Sequence, residues 1–131
     1  MATVSEILNA AADLLEKPGA WVQGWLAGDE YGRPQRTMVT GADFCAKCWC
    51  VFGAIQKAGW LAARSEEKAV GYKGIVSYHR KYPEMGMSVA KTLGLGTVSE
   101  LMAWNDAPGR TQAEVVAALR AAATHQTGEP G

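Results

Sequence analysis

The sequence predicts a mainly α fold, α+β at the margin: a compact helical domain of about five helices with a small β-hairpin or extended arm near residues 21–40. Helix is announced by three capping-box pairs, Thr3 with Glu6, Thr97 with Glu100 and Thr111 with Glu114, each opening a segment with apolar residues at helical spacing. Proline and glycine punctuate the chain where those segments must stop. Period-two alternation is confined to the stretch around Trp21, Gln23 and Trp25.

The first helix runs from about Val4 to Glu16. Val4, Ile7, Leu8, Ala11, Leu14 and Leu15 form its apolar face, and Lys17-Pro18-Gly19 ends it. Between Trp21 and Thr40, "GDEYGRP" is a turn cluster and "TMVT" is short and β-prone, which gives the extended arm. A second helix is expected over Lys47 to Ala63, weakened by Gly53 and Gly59, since an interior glycine costs about 1 kcal/mol relative to alanine. Ser65 with Glu66 and Glu67 offers another helix start, Gly71 and Gly74 interrupt its pattern, and Pro83 ends it. A short helix near Ser88 to Leu93 comes next. The last two helices, about Val98 to Trp104 and Gln112 to Ala123, are opened by their capping boxes. Residues 1–131 are expected to form a single domain whose tail frays from about residue 124.

Thirteen basic and thirteen acidic residues cancel, so no global field draws the chain to nucleic acid or membrane. From Lys57 to Lys91, however, seven basic residues stand against three acidic ones. No run reaches the length of a membrane span, and the N-terminus lacks the basic and apolar regions of a signal peptide. Three cysteines within six residues are a poor disulfide framework, so a reducing cytoplasm is expected. Five tryptophans against two phenylalanines predict amphipathic anchors whose indole N–H groups need partners.

The most specific stretch is "WNDAPGRT", Trp104 to Thr111. Pro108 and Gly109 suit the two central positions of a type II turn, where proline pre-sets φ and glycine accepts a positive one. Asn105 and Asp106 suit a helix end, Arg110 is placed to pair with Asp106, and Thr111 caps the next helix. Trp104 is expected to be buried. These residues read as a structural clasp between two helices. A DNA-binding helix-turn-helix is disfavoured, because the connector is long and the second helix offers only Gln112 and Arg120 as base-reading donors.

"CAKCWC" brings Cys45, Cys48 and Cys50 together. A zinc site needs four well-spaced ligands and no second cysteine pair exists, so no metal and no cofactor is expected. Cys50, near the start of a helix, could have its thiol acidified by the helix dipole. With His79 and Asn105 or Asp106 it would supply the ingredients of a nucleophilic site, although beside Val51, Phe52 and Ile55 it also reads as a small buried hydrophobe. "GYKGIVSYHRKY" interleaves tyrosines with cations. Lys73, Tyr78, Arg80 and Lys81 are therefore the candidate contacts for nucleic acid or another phosphate-rich ligand.

"CVFGAIQKAG" and "WNDAPGRTQAEVVAALRAA" resemble an uncharacterised family of small phage and bacterial proteins, with a C-x-x-G-A-(I/L) helix and a C-terminal W-N-D-x-P-G-R-T-x-x-E-V motif. "AADLLEKPGAWVQG" and "DEYGRP" resemble its N-terminal pattern, and the chain is most individual over Leu61 to Gly94. The matching positions are Cys50, Gly53, Ala54, Asn105, Asp106, Gly109, Arg110 and Thr111. The resemblance implies a small cytoplasmic protein, often phage- or prophage-encoded, and carries no established reaction or ligand. The leading expectation is a non-catalytic accessory or interaction protein that modulates a host process through a protein or polyanionic partner. The alternatives are a cysteine-dependent hydrolase or transferase centred on Cys50, and a binder of phosphate-rich ligands through residues 72–82.

Overall fold

A computed structural model describes residues 2–34, 40–43, 45–65 and 81–128. Among them are five helices and one two-stranded sheet: α1 (Val4–Glu16), β1 (Ala27–Gly28), β2 (Cys48–Trp49), α2 (Val51–Ser65), α3 (residues 81–92), α4 (Val98–Asn105) and α5 (Gln112–Gly128). The fold is mainly α with a small β element, as the sequence predicts.

The helix starts are where the capping pairs put them. The Thr3 hydroxyl accepts the Glu6 N–H at 3.1 Å and the Glu6 carboxylate accepts the Thr3 N–H at 3.2 Å. Thr111 and Glu114 make the same reciprocal pair at 3.2 and 3.0 Å. Thr97 caps Glu100, but there the Glu100 carboxylate reaches back to the Gly96 N–H instead. These bonds satisfy helix N–H groups that have no intrahelical partner.

The α1 face of Ile7, Leu8, Ala11 and Leu15 is fully enclosed and packs chiefly on α5, then on α2. Polar groups also span the α1/α5 contact: Ser5 Oγ donates to the Ala123 carbonyl at 3.0 Å, and Arg120 reaches Asn9, Asp13 and Glu16. Gln112 Nε2 closes the C-terminal end of α1 by donating to the Leu15 and Lys17 carbonyls. Val51 and Ile55 of α2, Met85 and Val89 of α3, Leu101 of α4 and Val115 and Leu119 of α5 complete one core.

Several boundaries differ from the sequence reading. Helix α2 starts at Val51, four residues late, because Cys48–Trp49 is extended: the Trp49 N–H donates to Ala20 and its carbonyl accepts from Val22. The apolar run "CWCVF" therefore serves a buried strand first and a helix second, an ambiguity periodicity alone does not resolve. β2 pairs antiparallel with β1, Ala27 opposite Trp49, and a parallel bridge joins Trp21 to Trp49. The second strand of the β element thus lies beyond residue 40. Ser65 is the last described residue of α2, and the helix start expected there with Glu66 and Glu67 lies outside the described residues. Helix α3 runs through Pro83 and takes in the short helix expected near Ser88; a helical φ is the one proline prefers. Helix α5 continues to Gly128.

Candidate functional site

Three separated segments, residues 20–26, 49–53 and 104–107, meet around the side chain of Asn105, which is wholly buried. Asn105 is the last residue of α4, with Asp106 as its C-cap. Its Oδ1 accepts the Trp21 indole N–H at 2.8 Å and the Val51 N–H at 3.0 Å. Its Nδ2 donates to the Val22 carbonyl at 3.2 Å and to Asp106 Oδ1 at 2.9 Å. One amide thus engages both its donor hydrogens and two acceptor positions.

The shell around it is equally committed. Gln23 Nε2 donates to the Asn105 and Ala107 carbonyls at 2.9 and 3.0 Å. Asp106 Oδ1 also accepts the Gly24 N–H at 2.9 Å. The Trp49 indole N–H donates to the Gly41 carbonyl at 2.8 Å. Among the described residues no buried side-chain polar atom lacks a partner.

Cys50 sits at the N-terminal boundary of α2, where its sulfur accepts the Gly53 N–H at 3.4 Å. Its carbonyl accepts from Ala54 and its own N–H donates to Leu26. With Val51 bonded to Asn105, the first turn of α2 is capped by a thiol and by an amide from the far end of the chain. Burial pushes the Cys50 thiol up, the Gly53 and Phe52 N–H groups pull it back in part, and the Asp106 charge raises it again. Desolvation outweighs the helix terminus here, against the acidified thiol the sequence suggested. Cys48 is also buried, which raises its thiol, and donates to the Asp29 carbonyl. Cys45 is exposed.

The turn after α4 has the predicted form. Arg110 N–H closes it on the Ala107 carbonyl at 3.1 Å, and Gly109 has φ +82°. Arg110 does not pair with Asp106. Its Nε donates to the Trp104 carbonyl at 2.8 Å, its Nη1 meets Glu114 at 2.9 Å, and its guanidinium lies 4.1 Å from the Trp104 ring centroid. Trp104 is half-buried under that guanidinium rather than enclosed by the core. Gly109→Ala should cost about 1 kcal/mol, from the positive φ alone, because a Cβ there meets nothing within 4 Å. A thermal melt of the variant checks this.

Of the other sequence candidates, Lys73, Tyr78, His79 and Arg80 lie outside the described residues. Lys81 is partly exposed on α3, and its neighbour Tyr82 is buried against Gly59. Among the described residues no three His, Cys, Asp or Glu side chains are grouped to hold a metal ion, and no helix is long and apolar enough to cross a membrane.

Clefts open elsewhere among the described residues. One, of about 440 Å³, lies between α1 and α2 and is walled by Ile7, Leu14 and Leu61. Another, about 380 Å³ and polar, is lined by Ser88, Lys91, Thr92, His125 and Gln126. A third, about 440 Å³, is lined by Glu16, Gln112, Ala113, Val116 and Ala117. Neither Cys50 nor Asn105 nor Asp106 lines any of the three. The sequence reading misses Gln23 and Gly41 as members of the clasp; the alternation at Trp21 and Gln23 is the available signal.

No curated protein and no solved structure matches the chain. The model of one family matches residues 1–125, nearly the whole chain. The chain belongs to that family, DUF6197, a family of unknown function.

Proposed function

We propose that this chain is a non-enzymatic accessory protein that acts in the cytoplasm by binding another polypeptide, and that it modulates a host process as a phage-associated protein. The observation that carries this reading is the commitment of the motif residues to the fold. Asn105 saturates its hydrogen bonds on backbone, indole and carboxylate, and Asp106 holds the Gly24 N–H. Cys50 is 3% exposed with a raised thiol. A catalytic cysteine needs an accessible thiolate, and these groups are arranged for the opposite. The surface that suits a partner is the α1/α2 cleft, whose Leu61 stands where the individual part of the sequence begins.

Thiol labelling of the folded protein at neutral pH tests this. Cys45 should react as a free thiol. Cys48 and Cys50 should react only through opening of the fold, slower by about a thousandfold or more if opening costs some 4 kcal/mol. Rapid labelling of Cys50 in the intact fold would return the chain to the cysteine-dependent hydrolase or transferase reading. Salt-sensitive binding to a polyanion, abolished by changing Lys73, Arg80 and Lys81 to alanine, would favour the phosphate-rich ligand instead.

A further inference from the structure

We propose that the outer face of α2 docks an acidic segment of a partner polypeptide, one whose carboxylates bracket a leucine or another aliphatic residue. This rests on the interaction reading above and specifies the partner. Lys57, Trp60, Leu61 and Arg64 stand at i, i+3, i+4 and i+7 of α2, so they share one face. Leu61 is 43% exposed on that face, Arg64 is exposed, and Lys57 and Trp60 are partly so.

The cations of this face are not neutralised as the others are. Arg33, Arg110 and Arg120 each meet a carboxylate, at 3.7, 2.9 and 2.6 Å. Among the described residues, Lys57 and Arg64 have no carboxylate at ion-pair distance. Their charged ends lie instead over the Trp60 ring, 5.3 and 5.2 Å from its centroid. Such a contact holds a cation in place without cancelling its charge. Asp43 and Lys47 also act on Lys57, with opposite sign, so their effects offset.

The spacing of these groups describes what fits them. Lys57 and Arg64 are seven residues apart, about 10 Å along the helix axis. A segment with carboxylates at that separation meets both cations, and an aliphatic residue between them covers Leu61. Glu6 and Asp13, on the α1 wall of the neighbouring cleft, repel the same segment and keep it on the α2 side. Single-stranded nucleic acid fits less well. A base needs a free ring face to stack on, the Trp60 ring already carries two cations, and an exposed leucine offers a phosphate nothing.

The test uses the full chain and three synthetic peptides of about 18 residues, about five helical turns. They share one leucine seam and carry glutamate, glutamine or lysine at the flanking positions. By fluorescence anisotropy the glutamate peptide should bind at least about tenfold more tightly than the glutamine one, with the lysine peptide weakest. Its advantage should shrink as salt is raised. It should shift the Leu61 methyl and Trp60 indole resonances. Lys57→Glu combined with Arg64→Glu should transfer the preference to the lysine peptide. Leu61→Asp, at an exposed position, should weaken the glutamate peptide about tenfold. Equal binding of all three, preference for lysine in the parent chain, shifts confined to another face, or no binding would overturn the proposal. So would an oligodeoxythymidylate that binds more tightly than the glutamate peptide and is lost with the same double change. If Cys50 stays protected while every peptide fails, this inference is lost and the interaction reading stands. If Cys50 labels rapidly, that reading falls whatever the peptides do.

Discussion

Asn105→Ala is expected to destabilise the fold by about 4 kcal/mol or more, a large share of the margin of a domain this size. Truncation would leave the Trp21 indole N–H, the Val51 N–H and the Val22 carbonyl without the partner they have at 2.8, 3.0 and 3.2 Å. Each such group costs about 1–3 kcal/mol when left unpaired in the interior, and the costs overlap because the segments relax together. Urea unfolding measures the effect as a lower midpoint at unchanged slope. Asn105→Asp is the informative companion. It keeps an acceptor but sets a buried carboxyl against Asp106, so its folded pKa would lie above its unfolded one. Whatever stability that variant has should be present below the ordinary carboxylate range and lost as pH rises through the raised value. An Asn105→Ala protein within about 1 kcal/mol of the parent would show the amide to be dispensable.

Gly53→Ala should cost about 3 kcal/mol or more. Glycine-to-alanine inside a helix normally stabilises by up to about 1 kcal/mol, so the prediction is opposite in sign to the local rule. A Cβ on Gly53 would sit 1.9 Å from the Leu26 carbonyl oxygen and 2.9 Å from its carbonyl carbon. Both are backbone atoms, and the Cys50 N–H also bonds that carbonyl. A Cβ on Gly41 would in turn meet the Gly53 carbonyl oxygen at 1.9 Å. Three stretches of main chain are thus stacked without a side chain between them, and an added methyl must push β1 away from α2. A melting temperature equal to or above that of the parent would mean the stack yields at no cost.

How much of this is legible in the sequence depends on how local the determinants are. The capping pairs at Thr3, Thr97 and Thr111 and the turn at Pro108-Gly109 are written within a few residues, and the helices and the turn obey them. The start of α2 is misplaced because its cap is remote: Val51 is bonded by a side chain 54 positions away, and Cys50 uses a sulfur where serine or aspartate would signal an N-cap. The same applies to Gly53. In sequence it weakens a helix, while in the fold it is the one residue small enough to stand against Leu26. The acidic edge of the α1/α2 cleft is invisible for a different reason. Glu6 and Asp13 are unremarkable charges until packing sets α1 beside α2. Asp106 and Glu114 both stand four residues from Arg110, and only the closed turn directs its guanidinium to Glu114 and the Trp104 ring.

The clasp also sets an order on how the chain is made. Trp21 and Asn105 are separated by 84 positions, and Asp13 and Arg120 by 107. A ribosome delivers the indole and the Val51 N–H long before the amide that receives them. Until residue 105 has left the exit tunnel, both donors must remain with water, and the floor between β1 and α2 has no closing element. Local helices such as α1 are free to form and dissolve during that interval, but the closed core is not available to them. Closure of the core therefore waits on α4, and nascent chains halted short of α4 should be as open to protease as an unfolded chain.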